Sequence, residues 1–323
     1  MSQDIFVVVE HLRGQVADIS YVMAAAGRVM AQATGGQVVA VLLGRDAQEL
    51  ARDLAADRVL YVEHPALADF TSAAYQTVLE SLLREHAPRA ALIGDTSIGG
   101  DVGAWLAERL AWPLVSSCRS VRAEGAAIQF VSQTYGGKIM AEGELPGPSA
   151  LVMMVPGGYK PEQGRATQPP PIAPAEAPAL EALRVAVEGY TEPDASDVDI
   201  TREPILVAIG RGIQTQDNIE LAEELARALG CPICASRPIV DQGWLPATRL
   251  VGKSGRVVKP RLYLALGISG APEHTEGIGE SEMIVAVNTD PAAPIFELAQ
   301  YGTTVDLFDL VPVLTEKIQQ AKA

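Results

Sequence analysis

ILVAIGRGIQTQDNIELAEELARALG, residues 205–230, decides the fold class of this chain. Ile205 to Ile209 is a short apolar run of strand length, Gly210-Arg211-Gly212 is a tight turn, and a helix is expected from about Asp217 to Leu229. Ile219, Ala222, Leu225 and Leu229 recur at near-helical spacing, and Gly230 stands where a helix takes its C-terminal cap. Downstream, Leu262 to Leu266 and Met283 to Val287 read as two more strands, each ending in small polar residues. Strand, turn, helix and strand in alternation predict a parallel sheet wrapped by crossover helices. In such a sheet a ligand lies beyond the carboxyl ends of the strands.

The same alternation fills the first half of the chain. Strand-like runs are Ile5 to Val9, Val38 to Leu43, Val59 to Val62 and Ala91 to Ile93. Helices are expected around Val22 to Thr34, Ala47 to Ala55, Thr71 to His86 and Gly103 to Leu110, with Gly35-Gly36 and Pro88 as stop signals. After Pro113 come shorter strands, Ile128 to Gln133, Lys138 to Glu144 and Leu151 to Val155, which read as antiparallel additions to the first sheet. Residues 163–178 include QPPPIAPAEAP and read as an extended loop. Leu183 to Val187 is a candidate last strand, and TEPDASDVD from Thr191 reads as a hinge. The expectation is an α/β chain of two Rossmann-like domains, residues 1–190 and 191–323, each a parallel sheet flanked by helices.

Length and composition agree: 323 residues with 48% hydrophobic content suffice for two cores. A net charge of -15, with scattered basic residues, speaks against a nucleic-acid partner. No apolar stretch reaches the ~18 residues that cross a bilayer, and Asp4 already opens a strand, leaving no room for a leader, so a cytoplasmic protein without membrane insertion is expected. The three cysteines, Cys118, Cys231 and Cys234, are too few for a disulfide framework.

Several motifs carry possible chemistry. Gly210-Arg211-Gly212 could offer backbone N–H groups and a guanidinium to a pyrophosphate, although a tight turn with a surface arginine has the same pattern. LYLALGISGA, Leu262 to Ala271, ends a buried strand in bare backbone with one hydroxyl, Ser269; its spacing does not meet the G-x-S-x-G of a hydrolase elbow. ATRLVGKS, Ala247 to Ser254, imitates a phosphate-binding loop, but Gly255 and Pro260 leave no room for the helix such a loop requires. Cys231-Pro-Ile-Cys234 has redox spacing but follows a helix C-terminus, whose dipole disfavours thiolate, so inert cysteines are expected. His274 follows the glycine turn, and Ser269, Asn288 and Asp306 fall near strand ends of the same domain, which suggests one crevice.

ASRPIVDQGWLP from Ala235, VGKSGRVVKPRLYLALGISGAPEHTEGI from Val251 and IVAVNTDPAAPIFELAQYGTTVDLFDLVP from Ile284 resemble the FAD-binding half of electron-transfer flavoprotein alpha subunits. The similarity runs nearly without gaps from about Pro204 onward, while the first half shares only the alternating pattern. The resemblance implies Ser236 and Arg237 over the flavin, with Val251, Gly252, Lys253 and Ser254 along its edge. It implies the Ser254 hydroxyl near N5, His274 near the N1/C2 carbonyl region, and Ser269, Asn288, Asp306 and Arg211 holding the diphosphate and adenosine half. Gly270, Ala271, Pro272, Glu273 and Leu307 complete the implied binding set. A cation and hydrogen-bond donors beside N1 and O2 would favour negative charge on the ring.

Four positions depart from the family pattern: Lys253 and Glu273 stand where Gln is usual, Ser254 where Thr is, and Thr289 where Lys is often found. The resemblance further implies a beta subunit as partner in a heterodimer and flavin dehydrogenases, such as the acyl-CoA dehydrogenases of fatty acid oxidation, as donors. It implies a quinone oxidoreductase as acceptor, and an electron carrier with no turnover of its own. Two other functions share parts of the pattern: an NAD-using enzyme with the same C-terminal fold, and a non-redox adenine-nucleotide module resting on the first half alone.

Overall fold

In the computed structural model, which describes residues 2–124, 127–135, 137–180, 183–190 and 198–322, the chain divides into two units, residues 1–189 and 190–323. The first unit runs β1 (Ile5–Val8), a small hairpin of β2 (His11–Leu12) and β3 (Gln15–Val16), α1 (Asp18–Thr34), β4 (Val38–Gly44), β5 (Arg58–Glu63), α2 (Ser72–His86), β6 (Ala90–Gly94) and α3 (Ser97–Leu110). It continues with β7 (Leu114–Glu124), β8 (Ala127–Thr134), β9 (Ile139–Glu144), β10 (Ala150–Met154) and β11 (Ile172–Ala175). Nine strands form one sheet in the order β11-β5-β4-β1-β6-β10-β7-β8-β9. Strands β1, β4, β6 and β10 are buried along their whole length, as strands covered on both faces must be.

Helix α2 shows how the sequence writes this layer. Ala74, Tyr75, Val78, Leu79, Leu82 and Leu83 recur on one face and are buried, while Ala87 closes the helix in the left-handed region at φ 39°. Burying Val78, Leu79, Leu82 and Leu83 is worth roughly 6–12 kcal/mol before conformational entropy is subtracted. An acidic residue at Leu79, which has no exposure, would break the packing. Helix α3 begins at Ser97 rather than near Gly103, because Thr96 accepts a hydrogen bond from Gly99 N (3.0 Å) and caps it.

Four sequence expectations change here. The segment Ala47 to Ala55 is not a helix: only Gln48–Ala51 makes a short 3-10 turn. Beyond it, Ala55 N donates to Gly164 O and Ala166 N to Asp53 O, so pairing with a distant segment replaces helical bonds and delivers Leu54 to the core. Strand β10 is parallel to both β6 and β7 and lies inside the sheet, so it is no antiparallel addition; only β8 and β9 are. Its partner β7 escapes sequence patterning because polar residues and a bulge between Cys118 and Ser120 interrupt its alternation. The Pro/Ala-rich segment 163–178 contains β11, an edge strand paired with β5 alone, where Pro174 removes no essential ladder bond. Leu183 to Val187 forms no strand, and Val185 and Val187 are exposed. Most of the expected hinge, residues 191–197, lies outside the described residues.

The second unit runs β12 (Ile205–Ile209), α4 (Ile219–Leu229), β13 (Ile233–Ala235), α5 (Arg237–Asp241), β14 (Leu262–Leu266), α6 (Pro272–Thr275), β15 (Ile284–Val287), β16 (Tyr301–Thr303) and α7 (Leu307–Lys322). Its five strands are all parallel, in the order β13-β12-β14-β15-β16. On one face, Ala222, Leu225 and Ala226 of α4 and Leu307 and Val311 of α7 pack with Val207, Ile209 and Leu264 of the sheet. The other face carries Leu206, Tyr263 and Ala265 against Val251, Val258 and Ile278 from the connecting loops. Gly230 caps α4 at φ 78°, its N–H bonded to Ala226 O.

Candidate functional site

All five parallel strands of the second unit point the same way, so the segments that leave them share one edge. Arg211 follows β12, Ser236 and Arg237 follow β13, Ser269 to His274 follow β14, Asn288 follows β15, and Asp306 precedes α7 after β16. Val251 joins this edge because its N–H bonds Ala235 O at the end of β13 (2.9 Å). The residues that the sequence scatters over nearly a hundred positions are thus brought to one side of one sheet. In a doubly wound fold that is the side on which ligands bind.

The individual groups differ in how they are held. Arg211 is exposed, and the turn around it is as expected: a short 3-10 segment, Arg211–Ile213, with α4 starting at Ile219, so the turn does not itself open the helix. Its N–H groups are also engaged, Gly210 N with Leu266 O (2.9 Å) and Gly212 N with Gly267 O (3.0 Å). The glycines serve close packing of two turns, since a Cβ on Gly212 would lie 2.6 Å from Gly267 Cα. Ser236 is buried at the N-terminal end of α5, while Arg237 is exposed and pairs with Asp241 across one helical turn (3.3 Å).

The Val251–Ser254 loop folds against the start of α6. Lys253 N donates to Glu273 O (2.7 Å), and Gly252 adopts φ 134°, where a Cβ would sit 2.6 Å from Glu273 O. The Lys253 and Ser254 side chains are exposed, with Lys253 Nζ 3.8 Å from Glu276. Ser269, Ala271, Pro272 and Glu273 are exposed too, while Gly270, at φ 85°, is buried against Ile295. Asn288 is a brace: its amide donates to Ile268 O (2.9 Å) and accepts from Asp290 N (2.9 Å). Asp306 caps α7 by accepting from Phe308 N (3.0 Å), and Leu307 belongs to the core. Asn288, Asp306 and Leu307 therefore shape the edge, whereas the arginines, Lys253 and the serines supply its polar groups.

His274 is buried rather than solvated. Its Nδ1 lies 3.1 Å from Val251 O and its Nε2 2.9 Å from Tyr263 Oη. Burial pushes its pKa down to about 4, against the smaller pull of the Val251 carbonyl, so the ring is neutral at pH 7. Cys234 is fully buried and touches Tyr263; burial pushes its thiol up to about 12 and that of half-buried Cys231 up to about 11. Both thiols stay protonated, as their position after the end of α4 predicts.

The first unit has its own crevice, between the carboxyl ends of β1 and β6, edged by Glu10, His11, Tyr75, Gly94 and Gly99. Its ≈ 330 Å³ includes the open mouth. The Glu10 carboxylate occupies it, accepting from Thr96 Oγ1 (2.6 Å) and crowding Gly94, and burial raises its pKa while Thr96 lowers it.

Residues 5–188 match the family model described as "Electron transfer flavoprotein domain", and residues 199–279 match "Electron transfer flavoprotein FAD-binding domain". The chain belongs to the electron transfer flavoprotein family, as an alpha subunit. Similar curated proteins cover it almost completely. "Electron transfer flavoprotein subunit alpha" of Bacillus subtilis (strain 168) is 32% identical over 323 residues, covering 99% of this chain and 98% of its own. The protein of that name from Mycobacterium leprae (strain TN) is 33% identical, covering 98% of both chains. "Acryloyl-CoA reductase electron transfer subunit beta" of Anaerotignum propionicum is 33% identical, covering 99% of this chain and 96% of its own. The cofactor of the family's second domain is FAD, and electron transfer is its function. No helix among the described residues is long and apolar enough to cross a membrane.

The edge of the second sheet fits that cofactor chemically. FAD brings a diphosphate, a sugar chain rich in hydroxyls and a flat ring, and this edge offers arginines, a lysine, serine hydroxyls and glycine backbone.

Proposed function

We propose that this chain carries electrons on FAD bound across the carboxyl edge of its second sheet, with no turnover of its own. The observation that supports this is the convergence of Arg211, Ser236, Arg237, Lys253, Ser254, Ser269 and His274 on that edge. Bound there, FAD supplies redox chemistry that no side chain of the protein can. Arg211 and the Ser269 hydroxyl hold the diphosphate and adenosine half, with Asn288 and Asp306 fixing the loops around them.

Arg237 faces the ring from α5, because its pairing with Asp241 is exposed and yields readily to a ligand. The Val251–Ser254 loop, held down by Glu273 O and His274, forms the edge wall and keeps water from the ring. Gly270, Ala271 and Pro272 are small enough to let the cofactor approach the backbone. The first unit pairs with a beta subunit, and the heterodimer takes electrons from flavin dehydrogenases, acyl-CoA dehydrogenases among them. A quinone oxidoreductase takes them on.

The test is co-expression with a beta subunit of the same family, followed by absorption spectroscopy and mixing with a reduced acyl-CoA dehydrogenase. One FAD per chain, a co-purifying partner of similar size and bleaching of the flavin band are expected. A colourless, folded chain that purifies alone would remove the proposal.

A further inference from the structure

The three groups Tyr263, His274 and Val251 form one buried hydrogen-bonded chain whose direction the chemistry dictates. A carbonyl oxygen only accepts, so the contact between His274 Nδ1 and Val251 O (3.1 Å) requires the proton on Nδ1. The opposite tautomer would face a bare nitrogen to a bare oxygen at that distance. Nε2 is then a pure acceptor, and Tyr263 Oη, 2.9 Å away, must donate to it. Having given its only proton, the Tyr263 oxygen can otherwise only accept, and the buried Cys234 packs in the same core cluster. Tyr263 has no exposure and His274 is 6% exposed, so water can neither replace a member nor reverse the chain.

We propose that Tyr263 is a positioning residue of the cofactor site: by donating to Nε2 it holds the His274 ring in the orientation in which Nδ1–H meets Val251 O, and so ties the Val251–Ser254 loop to α6. This rests on the reading that FAD lies against that loop. The imidazole thus acts as a clasp between two walls of the site, and its single N–H is committed to Val251. Loop geometry agrees, because Lys253 N to Glu273 O (2.7 Å) and Val258 N to Gly277 O (2.9 Å) continue the same seam on either side of the clasp. Tyr263 reaches the seam from the second residue of β14 and is itself fully buried.

The chain has only four histidines, so 15N-histidine labelling of the full-length, untagged protein resolves the ring, with the signal assigned by its loss in His274→Gln. At pH 7, His274 should show a pyrrole-type Nδ1 and a pyridine-type Nε2. Tyr263→Phe should leave the proton on Nδ1 but move the Nε2 signal downfield, toward an unbonded pyridine-type nitrogen, and raise the Kd for added FAD about tenfold, the scale of one lost buried hydrogen bond. Cys234→Ser, a change in the same core cluster that touches neither of the two ring contacts, should leave the pattern and the Kd unchanged. A wild-type His274 that is charged or carries its proton on Nε2 overturns the proposal, even if Tyr263→Phe fails to fold. So does a Tyr263→Phe protein with unaltered ring signals and FAD affinity. If the wild-type protein shows the expected tautomer but binds no FAD, the reading of the site fails while the clasp stands.

Discussion

The buried imidazole of His274 makes the stability of the second unit depend on pH in a calculable direction. Its folded pKa lies near 4, below the ordinary 6.5, because burial penalises the imidazolium. Above pH 6.5 neither the folded nor the unfolded state binds a proton at this ring, and the contribution is whole. Below 6.5 the unfolded chain takes up a proton that the folded chain refuses, so stability falls as the pH drops and levels off only near 4. Linkage puts the loss at about 2 kcal/mol by pH 5 and about 3 kcal/mol in all. The groups facing the ring, Tyr263 and Cys234, remain protonated throughout this window and add no slope.

The perturbation is His274→Gln, which keeps a donor for Val251 O but cannot titrate. Urea unfolding of the apoprotein, followed by Trp244 fluorescence in a Trp105→Phe, Trp112→Phe background, reports on the second unit alone, where Trp244 packs against the core. All other titrating groups are common to both proteins and cancel in the difference. The stability advantage of His274 over Gln should shrink by about 2 kcal/mol between pH 7 and pH 5. A difference that stays constant over that range would show the ring to be solvated and the reasoning wrong.

Other outcomes follow from neighbouring features. Arg237→Ala, in protein that keeps its FAD, should lower the first one-electron potential by roughly 60 mV, with Arg237→Lys recovering part, as spectroelectrochemical titration would show; no shift would place the guanidinium away from the ring. Cys231→Ala with Cys234→Ser should leave the FAD potentials unchanged, and the wild-type thiols should resist modification at pH 8, since burial holds them near 11 and 12; rapid labelling of the folded protein would contradict this. Gly212→Ala forces a Cβ to 2.6 Å from Gly267 Cα and should cost about 1–3 kcal/mol, visible as a lower Tm; an unchanged Tm would mean the two turns separate freely. A chain ending near Gly189 should still co-purify with the beta chain but carry no FAD, and stoichiometric flavin in it would relocate the site.

The sequence by itself determined that the chain is α/β and where most strands of both sheets run, because buried apolar runs such as Ile5–Val8 and Tyr263–Leu266 owe their pattern to local composition. It also named the family, since the loops that carry the resemblance are contiguous in sequence. Tertiary structure decided what depends on distant partners. Strand β10 became an interior parallel strand because β6 and β7 flank it, and β11 became a strand because β5 offered an open edge that tolerates Pro174. The Ala47–Ala55 segment lost its helix to bonds with residues 164 and 166, a competition that local propensity does not register. At the candidate site, the order Arg211, Arg237, Lys253, His274 was legible as a set of residue types, yet nothing in it says that His274 is buried. Burial, and with it a neutral imidazole clasped between Tyr263 and Val251, arises only when β14 and two loops close around the ring and exclude the water that would otherwise stabilise its charge.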